Sequence, residues 1–463
     1  MTALALALLL LAGCSNGSGG TVPADFKEPE ADNTTLFGKS GLLAAINTDG
    51  KTGFLRTDGS VAIDFVFDGA GMFREGLCPV LKDGKWGYID PQGEMVIPCA
   101  FDYADVFDNG LARVFQDEKF GFINTQGQWV LSPQYENLGY FINGSAIALQ
   151  NGKWGLIDKN GDTVLPFRYD KIVYAGEGAF VAVEGTVYRL FTAARKLLTT
   201  KYEDLTACVN GGIVFCKNGK WGMIDNLGVP LFKATYDDMD CIREDGYISV
   251  FNNGKWGIVD SKGCTVVSPR FQKYCYFSDG MAAISLNGKM GYVNEQDEIV
   301  IPPTYDGALM FNQGLAAVKV GEKWGYIDKT GVMVIQPRFD YAYVFFNDLA
   351  MVGLNGKYGF IDTQGNFVVE PSYSFVSSFR KPYTLVRPGN DYYYLMDTAG
   401  KLVFGQDYYT YSIDYEDFVI ISKIVNNTML YGLAKTDGTV VVEPQYLSFA
   451  LPGFNHAPLS TGN

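Results

Sequence analysis

Lys85-Trp86-Gly87-Tyr88-Ile89-Asp90 returns, in worn form, at a spacing of roughly 34 residues through nearly the whole chain. Trp-Gly recurs at Trp86-Gly87, Trp154-Gly155, Trp221-Gly222, Trp256-Gly257 and Trp324-Gly325, and softened copies stand at Phe120-Gly121, Met290-Gly291, Tyr358-Gly359 and Tyr431-Gly432. Self-similarity at a fixed period of this size means one supersecondary unit stacked many times, each copy burying its apolar face against the next. Around the hexapeptide the unit can be read strand by strand. Leu77 to Leu81 alternates as a short strand, and Asp83-Gly84 supplies the positive φ angles of a two-residue hairpin. Asn-Gly takes that place at Asn151, Asn218, Asn253, Asn287 and Asn355. The second strand is Lys85 to Asp90, with Trp86 and Tyr88 on one face.

An Asp-x-x-Gly turn follows at Asp90, Asp158, Asp225, Asp260, Asp328, Asp362 and Asp397; its Asp accepts backbone N–H groups and its Gly closes the bend. Seven copies of one turn make these carboxylates turn formers rather than catalytic or calcium-binding groups. A third strand, Glu94 to Pro98, leads to an aromatic fifteen residues after each Trp position, such as Phe101, Tyr135, Tyr169, Phe271 and Phe339. That register recovers weaker copies through Phe67, Tyr202 and Tyr408, for about twelve units in all. Trp is expected in the core, and the adjacent Gly is expected where another backbone approaches closely.

The unit resembles the WG repeat of bacteria, also described as the KWG repeat, through K-W-G-[YLMI]-[IV]-D, the x-x-G that follows, the V-[IV]-x-P-x-[YF]-[DE] strand end and F-x-x-G-L-A, over approximately residues 40 to 450. The resemblance implies an all-β protein of bacterial surfaces or secretions that mediates interactions, and it brings no catalytic residues. The pattern lapses at Val187-Tyr188, where Arg189 to Leu198 loses the Asp-x-x-Gly turn, and in the tyrosine-rich stretch Asp391 to Phe418.

The first residues carry a different signal. Ala3 to Leu11 is an apolar run too short to span a bilayer, and it ends in Leu11-Ala12-Gly13-Cys14, which resembles a bacterial lipobox, although Met1-Thr2 places no Lys or Arg ahead of it. The resemblance implies a lipid on Cys14 after removal of residues 1–13. Ser15 to Gly20 then opens a flexible tether, taken as residues 14–35, before the array at 36–450 and a tail at 451–463.

Apolar residues are 47% of the 463 and charged ones 19%, so a core is available and disorder is excluded for most of the length. A formal charge of −14 without a dense run of either sign disfavours nucleic acid and anionic lipid surfaces, and suits cationic or neutral partners. With His456 the single histidine, Ser-His-Asp and Cys-His catalysis lack a member and zinc-type Cys/His spacing is absent. No phosphate-cradling glycine loop occurs. Beyond Cys14, seven cysteines remain; none forms C-x-x-C, and they read as buried free thiols, a Cys208–Cys216 disulfide being the alternative.

These readings predict an all-β tandem array of about twelve three-stranded antiparallel units, an open β-solenoid or superhelix, with a β-propeller as the alternative. No catalytic residue, metal site or cofactor is expected. The expected role is non-enzymatic: a lipid-anchored, extracytoplasmic binding module for an envelope or host protein or glycan. A structural spacer is the alternative, and a hydrolase of envelope polymers the least favoured. The irregular stretch supplies the candidate ligand residues Tyr393, Tyr394, Tyr409, Tyr411, Asp414 and Tyr415, where flat rings lie beside acids. A decayed end unit capping the array is the competing account of the same stretch.

Overall fold

The computed structural model describes residues 36–192, 194–198, 200–208, 211–377, 379, 382–389, 392–412 and 418–449. The lipobox with Cys14, the tether and the tail 451–463 lie outside the described residues, as do Asp414, Tyr415 and His456.

Each Asp-Gly or Asn-Gly pair turns the chain as expected. Asp83 and Gly84 adopt φ of 52° and 77°, and the strands they join, Cys78–Lys82 and Lys85–Ile89, pair with Leu81 opposite Trp86. The Asp-x-x-Gly turn also forms as read: Gln92 and Glu94 donate backbone N–H groups to the Asp90 carboxylate, both at 2.9 Å. The third strand, Met95–Phe101, is longer than expected and bulges, since Tyr88 faces Ile97 while Trp86 faces Phe101. At the bulge its backbone folds over Gly87, where a Cβ would meet the Ile97 carbonyl oxygen at 2.5 Å and the Cys99 nitrogen at 2.6 Å. The glycine of each Trp-Gly pair therefore admits a crossing backbone.

A fourth, two-residue strand completes the unit, and it was not anticipated. After Phe101 the chain passes through Asp102 into Tyr103–Ala104, which pairs with Leu111–Gln116 of the next sheet. In the order A, B, C, D along the chain, strand D of one sheet thus runs into strand A of its neighbour. Among the described residues there are twelve antiparallel sheets, ten with four strands and two with three.

The core lies between successive sheets. Tyr88 on strand C is fully buried, packs its ring 4.9 Å from Phe107 in the next A–B loop and donates its hydroxyl to the Asp105 carbonyl at 2.7 Å. Tyr292 and Phe311, then Tyr326 and Phe345, repeat the ring pair. Burying such a ring contributes about 2–3 kcal/mol, and the hydroxyl finds an acceptor, so no polar atom is stranded. The tryptophans are placed differently from expectation. Trp86, Trp154, Trp221, Trp256 and Trp324 are only half-buried, and the fully enclosed position is two residues further on. Trp86 sits at the start of strand C beside the bend of strand D, where the sheet meets solvent, whereas Tyr88 faces the neighbouring sheet squarely.

The array closes. Ser448–Phe449, the last described strand, pairs with Leu42–Ile46 and becomes strand A of the first sheet. The rings of Phe65 and Tyr446 stack at 5.5 Å, and Gly59 packs on Val442, as equivalent glycines pack on the preceding sheet elsewhere. The fold is a twelve-bladed β-propeller, which corrects the open solenoid or superhelix. An open array would leave the outer edge of Leu42–Ile46 without a partner strand, and the C-terminal strand pairs with it at Ala45 and Ile46.

The two three-stranded blades fall where the repeat lapses. In one, Lys171–Tyr174, Phe180–Glu184 and Val187–Phe191 pair, and strand D is reduced to the isolated bridges Tyr188 to Tyr202 and Phe191 to Leu197. In the other, Phe375–Val376, Tyr383–Arg387 and Tyr394–Asp397 pair, and only Met396 to Leu402 remains of strand D. Cys208 is disulfide-bonded to Cys241, its counterpart in the next blade, with Cα atoms 5.3 Å apart. This replaces the alternative pairing with Cys216, which is a buried free thiol on strand B. Cys78 and Cys275 are buried free thiols as expected, and Cys264 is exposed.

Candidate functional site

Because strands alternate in direction, all A–B loops and C–D turns emerge at one end of the blades, and all B–C hairpins and D-to-A corners at the other. The two ends differ chemically.

The hairpin end repeats one arrangement in six blades. The lysine that opens strand C reaches a carboxylate seventeen residues on, at the D-to-A corner: Lys51 to Asp68 at 2.6 Å, Lys153 to Asp170 at 2.7 Å, and Lys289 to Asp306 and Lys323 to Asp340 at 2.5 Å. Lys85–Asp102 and Lys220–Asp237 repeat the pair. The same corner residue accepts a backbone N–H from the hairpin turn of the following blade, as Asp68 does from Asp83 at 2.9 Å and Asp340 from Asn355 at 2.7 Å. One acid therefore ties two blades. Its lysine hydrogen bond holds Asp68, Asp102, Asp170, Asp237, Asp306 and Asp340 below the usual carboxylate range. The signal was legible, because both the Lys of K-W-G and the acid after the aromatic belong to the repeat; only their pairing went unseen.

The tyrosine-rich candidates belong to this end. Tyr392 and Tyr409 are also seventeen residues apart, and their rings stack at 4.0 Å with an interplanar angle of 14°. The stack stands where other blades place the lysine–carboxylate pair. Tyr394 is buried with its ring 5.8 Å from Tyr409. Tyr393 packs 5.5 Å from Phe375, and the Arg387 guanidinium lies 5.7 Å from its ring. Tyr411 lies in the strand Tyr409–Ser412, and its side chain is outside what is described. The structure thus brings Tyr394 and Tyr409 together at the seam between two blades, while the Tyr393 ring packs within its own blade against Phe375 and Arg387.

The loop end varies from blade to blade. Between the blades that carry Asp108 and Tyr140 it opens a cleft of about 280 Å³, lined among others by Asp108, Asn109, Tyr140, Phe141, Asn143 and Lys159. Beneath it lies a buried polar cluster. Asp105 is 3% exposed, accepts from Arg113 Nε at 2.6 Å and from the Tyr103 hydroxyl at 2.6 Å. Arg113 also donates to the Leu138 carbonyl at 2.6 Å, and its guanidinium lies 4.9 Å from the Tyr140 ring. Burial first, and then the Asp105 charge, push the Tyr140 hydroxyl far above its ordinary pKa, so it stays a neutral donor. A buried pair with these bonds satisfied holds Tyr140 in one position. Asp108 is itself paired to Arg74 at 3.0 Å. Sequence reading missed this site, since its residues occupy repeat positions that differ in each copy. Among the described residues no group of three His, Cys, Asp or Glu side chains could hold a metal ion.

The family model for the WG containing repeat matches residues 53–86, 86–120, 120–154, 154–184, 221–256, 256–289, 290–324, 324–358 and 358–392. The chain belongs to the WG repeat family. The unmatched stretches around Val187 and beyond Tyr392 hold strand C and the interrupted strand D of the two three-stranded blades, and the blade of Tyr409–Ser412 to Val440–Tyr446. A comparison with curated proteins finds no match. Among solved structures the chain is similar to a eukaryotic initiation factor, at 10% identity over 64% of this chain and 95% of that one, with a TM-score of 0.29. It is also similar to the extracellular domain of a hybrid two component system from B. thetaiotaomicron, at 9% identity over 86% and 71%, TM-score 0.21. PorZ, a bacterial surface component of the type-IX secretion system of Porphyromonas gingivalis, shares 12% identity over 87% of this chain and 52% of its own, TM-score 0.20. Likenesses this distant carry no functional argument.

Proposed function

We propose that the protein is a non-enzymatic binding module, held by a lipid on Cys14 at the outer face of a bacterial envelope, that grips a protein or glycan partner with the loop end of its ring. The observation that carries this reading is the contrast between the ends. At the hairpin end the same acid, lysine and turn recur in six blades and satisfy one another, which accounts for them as structure. At the loop end the Asp and Gly of the C–D turn recur, but the residues between them and in the A–B loops change, and between two blades they leave a polar, aromatic-lined cleft, the surface on which a repeat scaffold can vary recognition without disturbing its fold. The inter-blade disulfide supports an extracytoplasmic address, because such bonds persist in oxidising compartments.

The test is a lipid-free chain, Cys14→Ser, applied to an array of glycans and peptidoglycan fragments and used as bait in native envelope extract. Capture that is lost on substitution of loop-end residues and kept on substitution of hairpin-end residues supports the reading. Failure on both supports leaves the spacer function, and turnover of chromogenic glycosides would replace binding with hydrolysis.

A further inference from the structure

In two places the second position of the C–D turn makes a polar contact with the A–B loop of the preceding blade. Lys329 reaches Asp279 at 2.7 Å, and Asn226 is hydrogen-bonded to Glu177. Lys159 holds the same turn position as Lys329, within Asp158 to Gly161 as against Asp328 to Gly331. Opposite it the repeat places Asn109, a neutral amide, where Lys329 finds Asp279. Lys159 makes no ion pair with any described residue, and Asp108, the nearest acid in the lining, is already engaged by Arg74. The cleft therefore presents one uncompensated ammonium group.

The remainder of the lining fits a ligand rich in hydroxyls. Asn109 and Asn143 are both held in left-handed turn conformations, with φ of 52° and 48°; Asn143 offers an amide donor and acceptor at the rim, and Asn109, whose Nδ2 donates to Asp108 at 3.0 Å, offers its carbonyl oxygen. Asp108 adds an acceptor, while Tyr140 and Phe141 supply apolar surface. An acidic peptide would set its own carboxylates against Asp108. A sugar unit with a single carboxylate matches the set, with its charge on Lys159, its hydroxyls on the amides and Asp108, and its carbon face on the aromatic wall. A volume of about 280 Å³ admits one such unit of a longer chain.

We infer that the cleft between Asn109 and Lys159 is a subsite for an acidic monosaccharide unit, of the uronic acid type, within a surface polysaccharide. The inference rests on the proposed binding function and specifies its ligand. Titration of the lipid-free full-length chain with trigalacturonic acid, with maltotriose and with a hexaglutamate peptide tests it. Trigalacturonic acid is expected to bind and maltotriose at least tenfold more weakly. Lys159→Met should weaken trigalacturonic acid tenfold or more with an unchanged melting temperature, and Asn109→Asp should do the same by giving Lys159 the partner that Lys329 has. Lys329→Met should leave binding unchanged.

The inference is overturned if trigalacturonic acid does not bind at millimolar concentration, if both cleft variants bind it as the wild type does, or if hexaglutamate binds more tightly and depends on Lys159. Capture of a neutral glycan or a protein in the array and bait experiments, insensitive to Lys159→Met, would keep the binding module and remove this subsite.

Discussion

Gly325→Ala should damage the fold far more than a methyl group ordinarily does. A Cβ at Gly325 would sit 2.4 Å from the Ile335 carbonyl oxygen, 2.7 Å from the Pro337 nitrogen and 3.0 Å from the Gln336 carbonyl carbon. The nearest approach falls about 1 Å short of ordinary van der Waals contact, and all three atoms are backbone, so no rotamer change relieves it. Strand D would have to lift off strand C at its bulge, loosening the pairs Trp324 to Phe339 and Tyr326 to Ile335. Overpacking costs about 1–3 kcal/mol, and a rigid neighbour places this site near 3.

Gly356→Ala is the control. It has φ of 72° and nothing within 4 Å of the added atom, so the cost is the left-handed conformation alone, about 1–2 kcal/mol. Native-state hydrogen exchange, which reports opening segment by segment, resolves the two. At tenfold per 1.4 kcal/mol, amides of Lys323–Asp328 and Met333–Phe339 should exchange about a hundredfold faster in Gly325→Ala. Those flanking Gly356 should change about tenfold or somewhat more in the control. Equal exchange in Gly325→Ala and wild type, or a larger effect at Gly356, would show that strand D does not need the empty space beside each tryptophan.

Acid should weaken the hairpin end. The corner carboxylates have folded pKa values below their unfolded ones, so their contribution is full above the ordinary Asp value of about 4 and is lost as pH falls through the folded values. Joint Lys51→Met and Lys323→Met should lower urea stability at pH 7 and leave it unchanged near pH 2; parallel pH profiles would count against the pairs. Ending the chain after Tyr446 removes strand A of the first blade, and loss of amide protection confined to Leu42–Ile46 and the last blade, with a larger radius by solution scattering, is the expected result. Tyr409→Asp alone should lower thermal stability, and Tyr392→Lys added to it should restore stability by rebuilding the lysine–carboxylate pair of the other blades. Unchanged stability in the single variant, together with weakened partner binding, would return these tyrosines to a ligand role.

The all-β class, the period, both turns and the two broken blades were legible because each rests on local chemistry: Asn-Gly needs positive φ, Asp-x-x-Gly caps itself, and the lapses at Val187 and after Tyr392 sit where strand D is interrupted. Closure was not legible, because pairing of Ala45 with Phe449 links the two extremes of the array and leaves no mark on any one repeat. Strand A was hidden for a related reason: Tyr103–Ala104 has two residues, too few for a period, and continues strand D of another blade. The cleft escaped because a periodic reading attends to what repeats. Lys159 differs from Lys329 only in what stands fifty residues before it, Asn109 rather than Asp279, and that distance becomes a contact only when blades stack.

The strand that closes the ring is the last of the described strands to leave the ribosome. Until Ser448–Phe449 arrives, the first blade waits with the edge Leu42–Ile46 open and the last blade waits with the face around Tyr446 uncovered. Both surfaces match a partner that every other copy of the same chain also carries. Completion of the circle thus separates chains by length during synthesis: one that reaches Phe449 can seal its ring, while one that stops before Ser448 retains nearly all its repeats and yet offers an edge on which another copy can pair.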